Sequence, residues 1–148
     1  MKRFYLFSMT IVLSALTAFS QPYPLVTIQQ IQQVPNDSLG TTINGDLSNL
    51  DGDTVTVRGV VVTPPGAAVS SSTYGRWIWI QDGSGPWSGL NVRWSFGNTP
   101  STPDDMLNVV PGDSVEIVGV VNTFANETQI APLENNGFTI LTGVTGLR

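Results

Sequence analysis

The sequence contains no cysteine and no histidine, and its one lysine, Lys2, stands at the very start. Each absence excludes a class of chemistry. Without cysteine there is no disulfide to support a small core and no N-terminal thiol for lipid attachment, so stability has to come from packing. Without histidine or cysteine, a Ser-His-Asp triad, a Cys-His pair and a His-rich zinc site cannot be assembled. A carboxylate pair could still hydrolyse a glycosidic bond, but none of the eleven acidic residues stands apart from an ordinary surface set. The chain therefore reads as a non-enzyme with no catalytic residues and no cofactor.

Positive charge is also scarce. Beyond residue 20, Arg58, Arg76, Arg93 and Arg148 face eleven acidic side chains, a net charge of −7. That balance opposes non-specific binding of nucleic acid, whose affinity comes largely from neutralising phosphates with Lys and Arg. The arginines are concentrated, however: Arg58, Arg76 and Arg93 all fall in the first three strands assigned below.

Long apolar runs are confined to the N-terminus. Lys2 and Arg3 precede an apolar stretch from Phe4 to Phe19, and the small residues Ala18 and Ser20 sit at cleavage spacing, so residues 1–20 read as a secretory signal peptide cleaved before Gln21. The run falls short of the ~20 residues a spanning helix needs. The expected product is secreted or periplasmic and holds to no membrane after cleavage. Residues 21–148 suffice for one domain, placed at 21–141 with a loose tail at 142–148.

Within that domain one motif occurs twice. Asp51-Gly52-Asp53-Thr54-Val55-Thr56-Val57-Arg58-Gly59-Val60-Val61 is echoed by Pro111-Gly112-Asp113-Ser114-Val115-Glu116-Ile117-Val118-Gly119-Val120-Val121. Each copy is a turn signal followed by alternating β-branched residues and an interior glycine, the pattern of a strand that must bend. Alternation puts Val55, Val57, Gly59 and Val61 on one side, and Val115, Ile117, Gly119 and Val121 likewise, as inward sets. Thr54, Thr56, Arg58, Ser114 and Glu116 are expected to face solvent.

The remaining elements follow from periodicity and turn chemistry. The spacing of Val26, Ile28, Ile31 and Val34, stopped by Pro35, predicts a short amphipathic helix over 27–34 that packs on or plugs a barrel. Residues 36–50 read as a loop. Strands are expected at 53–62, 76–81, 87–94, 113–122 and 127–131, with an edge strand at 138–141. Residues 67–75 form a loop tip, 82–86 a tight turn, and 95–110 a long connection with a helical turn near 104–107. Five strands with a curved first and fourth make an all-β, five-stranded Greek-key barrel of the OB type, whose second and third strands usually carry the ligand.

The order of these pieces resembles the OB-fold domains of exported bacterial proteins, often placed ahead of an endonuclease/exonuclease/phosphatase domain in secreted nucleases. The resemblance covers roughly 27–130. It runs through Thr27-Ile28-Gln29-Gln30-Ile31-Gln32, Val55-Thr56-Val57-Arg58-Gly59-Val60-Val61, Ile78-Trp79-Ile80-Gln81-Asp82-Gly83-Ser84-Gly85 and Gly112–Val121, then Glu127-Thr128-Gln129-Ile130. It implies a non-catalytic accessory domain that binds nucleic acid or a substrate. The larger members continue into a catalytic domain where this sequence stops, so the domain either acts alone or fronts a longer protein.

Aromatic residues gather in one hairpin: Trp77, Trp79, Trp87 and Trp94, with Tyr74, Arg76 and Arg93 beside them. Flat rings with interleaved arginines suit single-stranded nucleic acid or sugar rings, both of which present stacking faces and polar edges. Ile78 and Ile80 share one side of their strand, leaving Trp77 and Trp79 on the other, and Trp87, next to the turn, is expected to be exposed. The ligand-binding candidates are Arg58, Tyr74, Arg76, Trp77, Trp79, Trp87 and Arg93. The carboxylates beside glycines (Asp51, Asp53, Asp82, Asp113) read as turn residues, since no twelve-residue calcium loop follows any of them. Two functions remain open: a weak binder of single-stranded nucleic acid or another extended polymer such as a polysaccharide, or a structural domain that orients a partner protein or a catalytic domain.

Overall fold

The two copies of the repeated motif are each other's partners. In the computed structural model, which describes residues 23–35, 40, 46–64, 76–94, 106, 108–124, 127–133 and 136–141, strand β2 (Thr54–Val61) runs antiparallel to β5 (Ser114–Phe124), with Val57 opposite Ile117. These two residues hold the same place in their copies, so a pseudo-twofold axis passes between them. The turns obey it as well: Gly52 N donates to Val121 O and Gly112 N to Val61 O, each at 2.8 Å. Both glycines have positive φ, +88° and +100°, where a Cβ would be strained.

Around this pair the sheet closes. Going round from β1 (Leu25–Val26), the neighbours are β2, β3 (Arg76–Gln81), β4 (Gly89–Trp94), β6 (Glu127–Pro132) and β5, which returns to β2. That five-strand circuit, β2-β3-β4-β6-β5, is the Greek-key barrel expected from the strand signals. The inward sets are buried as alternation requires: Val55, Val57, Val61, Val115, Ile117 and Val121 join Ile78, Ile80, Leu90, Val92 and Ile130 in one core. Met106, in helical conformation within the long connection, is also fully buried.

Helix α1 (Ile28–Gln32) closes one end. Thr27 and Gln30 form a reciprocal capping box: Gln30 N donates to Thr27 Oγ1 (3.2 Å) and Thr27 N to Gln30 Oε1 (2.8 Å), a device whose loss costs about 1 kcal/mol. Ile28 and Ile31 point into the core. Ile28 N donates to Asp82 Oδ2 (2.8 Å) and Gln32 Nε2 to Gly89 O (2.7 Å), tying the helix to the β3–β4 turn. The helix stops two residues short of the expected Val34, because a residue before proline is driven out of the α region. Gln33 is already extended.

Three expectations need correction. First, Thr56 does not face solvent. The two-residue β1, absent from the sequence reading, pairs in parallel with β2; Thr56 N donates to Pro24 O (2.8 Å) and Thr56 is fully buried. Second, Ser114 is 8% exposed, because Leu141 N donates to its carbonyl as the chain returns along β5. Third, the strand expected from 87 begins at Gly89: Trp87 has φ +67°, which no strand continues. The edge strand expected at 138–141 is present as β7 (Phe138–Ile140), antiparallel to β5. It lies along the same edge of β5 as β6, and Leu133 N and Gly137 O bond Val118 O and N (2.9 Å each).

Other boundaries shift by a few residues: β2 loses both ends of 53–62, β5 extends two residues past 122, and β6 one past 131. The signal-peptide segment, the tip at 67–75, residues 95–105 and the tail 142–148 lie outside the described residues. Among the described residues no helix is long and apolar enough to cross a membrane.

Candidate functional site

Alternation along the β3–β4 hairpin decides which aromatic side chains reach its outer face. Trp77 is the cross-strand partner of Arg93, and Trp79 of Asn91, whereas Ile78, Ile80, Val92 and Leu90 take the core side. Trp77 and Trp79 are half-buried. Trp94, one step out of phase, is 5% exposed and belongs to the core.

Arg93 organises this face. Its guanidinium carbon lies 5.0 Å from the centre of the Trp77 ring and 4.2 Å from that of Phe124 at the end of β5. Both are cation–π distances, and they hold one cation against two rings. Phe124 is 57% exposed.

Across β4, β6 and β5 the register sets Asn91, Gln129 and Asn122 in one row. Gln129 Nε2 donates to Asn122 Oδ1 (2.6 Å), and Asn91 Nδ2 donates to Glu127 Oε1 (3.1 Å). To meet Phe124, Arg93 must lie diagonally over this row, which accounts for Asn91 and Gln129 being only 4% and 5% exposed on an outward face. Beside the arginine opens a groove of about 550 Å³, lined by polar Asn122, Thr123 and Gln129 and by apolar Phe124, Val120, Ala131, Pro132 and Leu133. That volume falls within the range of small-molecule and cofactor sites. Four atoms of residues at or lining this face, Trp77 Nε1, Arg93 Nε, Asn91 Oδ1 and Thr123 Oγ1, are buried and have no hydrogen-bond partner. Such unmet groups cost stability unless a ligand or water meets them.

The structure brings together only part of the candidate set. Trp77, Trp79 and Arg93 share one face. Arg58 does not join them: it pairs with Glu116 across β2–β5 at 2.7 Å, six residues along β5 from Asn122, or ~20 Å at ~3.4 Å per residue. Trp87 is 65% exposed, as expected, but it stands at the turn end of the hairpin, away from Trp77 and Arg93. Arg76 begins β3, its side chain outside the described residues, as is the whole of Tyr74.

Sequence reasoning missed Phe124, Asn91, Asn122, Gln129 and Glu127. Alternation through 127–131 does separate Glu127 and Gln129 from Thr128 and Ile130, which was a usable signal. Their approach to Arg93 rests on the parallel β4–β6 pairing, which no local pattern announces.

No family model and no curated protein matches the sequence. Solved structures do share the architecture. The OB domain of a Methanosarcina mazei protein aligns with 82% of this chain and 87% of its own length, at a TM-score of 0.52 and 10% identity. A protein assigned as an aspartyl-tRNA synthetase from Leishmania major Friedlin aligns with 90% of this chain at a TM-score of 0.52 and 11% identity. This chain spans 23% of that synthetase's length. At such identities the likeness defines the fold, and the fold is an OB barrel.

Proposed function

We propose that this chain is a non-catalytic OB-fold binding module that holds an extended polymer, nucleic acid or polysaccharide, weakly against the outer face of β3, β4 and β6. The observation that carries this reading is the Arg93 guanidinium held against the Trp77 and Phe124 rings beside an open groove. Fixed aromatic faces with one oriented cation supply stacking and a polar edge without acid–base chemistry, which suits binding rather than turnover. Tryptophan-fluorescence titration with single-stranded oligonucleotides and a panel of polysaccharides tests it. A saturable change is expected with at least one polymer, and silence up to millimolar concentration overturns the binding reading.

The module is further proposed to be exported, on the strength of the charged start, apolar run and small-residue cleavage pattern of residues 1–20. Intact-mass measurement of protein recovered outside the cytoplasm should give a chain starting within a few residues of Gln21. Full-length chain retained in the inner membrane would contradict it.

Trp87 favours a second reading, in which the domain orients a partner protein or the catalytic domain that accompanies such modules in secreted nucleases. A tryptophan 65% exposed and held at φ +67° costs stability twice, in strain and in apolar exposure. It lies outside the Arg93 face, so docking there leaves polymer binding undisturbed.

A further inference from the structure

We propose that the polymer held at the Arg93 face is a neutral polysaccharide, recognised by ring stacking and by amide and carboxylate side chains, and not a nucleic acid. The inference rests on the binding face described above and adds the class of its occupant.

Charge supplies the first argument. Nucleic-acid affinity rises with the number of phosphates neutralised. Among the described side chains Arg93 is the one cation on this face, Arg58 being paired with Glu116, and residues 21–148 carry a net −7 with no lysine at all. Arg93 is already engaged by two rings, Trp77 and Phe124. The same face carries a carboxylate: Glu127 is exposed and bonded to Asn91, the β4 residue two positions from Arg93. A phosphate chain crossing β4 and β6 would meet that anion on the same face.

Hydrogen-bond chemistry supplies the second. A sugar hydroxyl both donates and accepts, so it needs neighbours of both kinds. The face carries both kinds: the Arg93 guanidinium as a donor, the half-buried Asn122 amide, and the exposed Glu127 carboxylate as an acceptor. The apolar lining residues Val120, Ala131, Pro132 and Leu133 suit the C–H face of a pyranose ring, as do Trp77 and the exposed Phe124. The groove's mixed lining thus matches alternating polar rims and apolar faces, the surface of an uncharged sugar chain.

Calorimetric titration of the full chain with cellohexaose, laminarihexaose, xylohexaose and mannohexaose, with an oligogalacturonate and with a single-stranded oligothymidylate decides the matter. At least one neutral hexasaccharide is expected to bind roughly tenfold or more tightly than the oligothymidylate, with affinity unchanged between about 50 and about 200 mM salt, whereas each neutralised phosphate would give a slope of about 0.7. Glu127→Gln separates the classes by sign. It should leave sugar affinity unchanged or lower it a few-fold, and it should raise affinity for a polyanion. Tightest binding by the oligothymidylate or the oligogalacturonate, strengthened by Glu127→Gln and lost in Trp77→Ala, would overturn the neutral-sugar assignment while keeping the site. Silence from every ligand, with a melting curve showing a folded chain, would overturn the assignment together with the binding face.

Discussion

Gly119→Val is expected to destabilise the barrel by at least the upper part of the ~1–3 kcal/mol range of overpacking substitutions, and Gly119→Ala by a substantial share of it. A Cβ on Gly119 would collide with the carbonyl oxygen of Ala131, and it would stand 2.8 Å from Ile130 Cγ1 and 2.9 Å from the Ala131 carbonyl carbon. Two of those three atoms are backbone and cannot rotate away. The position is where β5 is bonded on both edges, to Val55 of β2 and Pro132 of β6, so relief would require the closing strand to move. Gly59, its counterpart in the repeat, is less confined: its nearest neighbours, Gln81 O and Ile80, lie at 3.2 Å. Thermal unfolding should therefore rank Gly119→Ala well below Gly59→Ala, with a fall in Tm on the order of 10 °C for the valine variant at 119. Equal melting temperatures for the two alanine variants would show that the closure does not depend on Gly119. Gly137→Ala should behave like Gly119→Ala, because a Cβ there meets the Leu133 backbone and, at 2.8 Å, the oxygen of Val118.

Trp77→Ala is expected to weaken polymer binding by about tenfold or more. An aromatic stack is worth ~1–3 kcal/mol, and 1.4 kcal/mol is a factor of ten. Trp77 contributes twice, as a ring for the ligand and as one of the two rings that hold Arg93. Phe124→Ala should cost a similar amount, and the double variant less than the two effects added, since both act through the same guanidinium. Arg58→Ala serves as the contrast: its partner Glu116 is on β5, far from the groove, so binding should be unchanged. Titration of the four variants checks this. A loss in Arg58→Ala equal to that in Trp77→Ala would move the site to the β2–β5 face.

The repeat and the hairpin were legible because their information is local. Two-residue alternation placed Val55, Val57, Val115 and Ile117 inside and put Trp77 and Trp79 opposite Ile78 and Ile80, and the core shows that division. Trp87 followed from its place beside a glycine-rich turn. The strand β1 was not legible, because two residues carry no period and its parallel partner lies thirty positions away. The burial of Thr56 went unseen for the same reason. That β6 and β7 follow one another along the same edge of β5 was not legible, since it rests on the bonds of Leu133 and Gly137 to Val118.

By itself the sequence determined the strand faces, the turns at Gly52 and Gly112, the short helix and the absence of histidine, cysteine and lysine chemistry beyond the first residues, all of which depend on neighbours within a few positions or on composition. Only the tertiary structure decided that the two motif copies face one another about a pseudo-twofold axis, and that Phe124, fixed by the β5–β6 register, reaches Arg93. It alone separated Arg58 and Trp87 from the groove. The physical reason is that a strand's faces are set by its own alternation, whereas its partners are set by closure of the barrel, in which residues thirty or more apart compete for the same edge and burial of the shared core selects the winner.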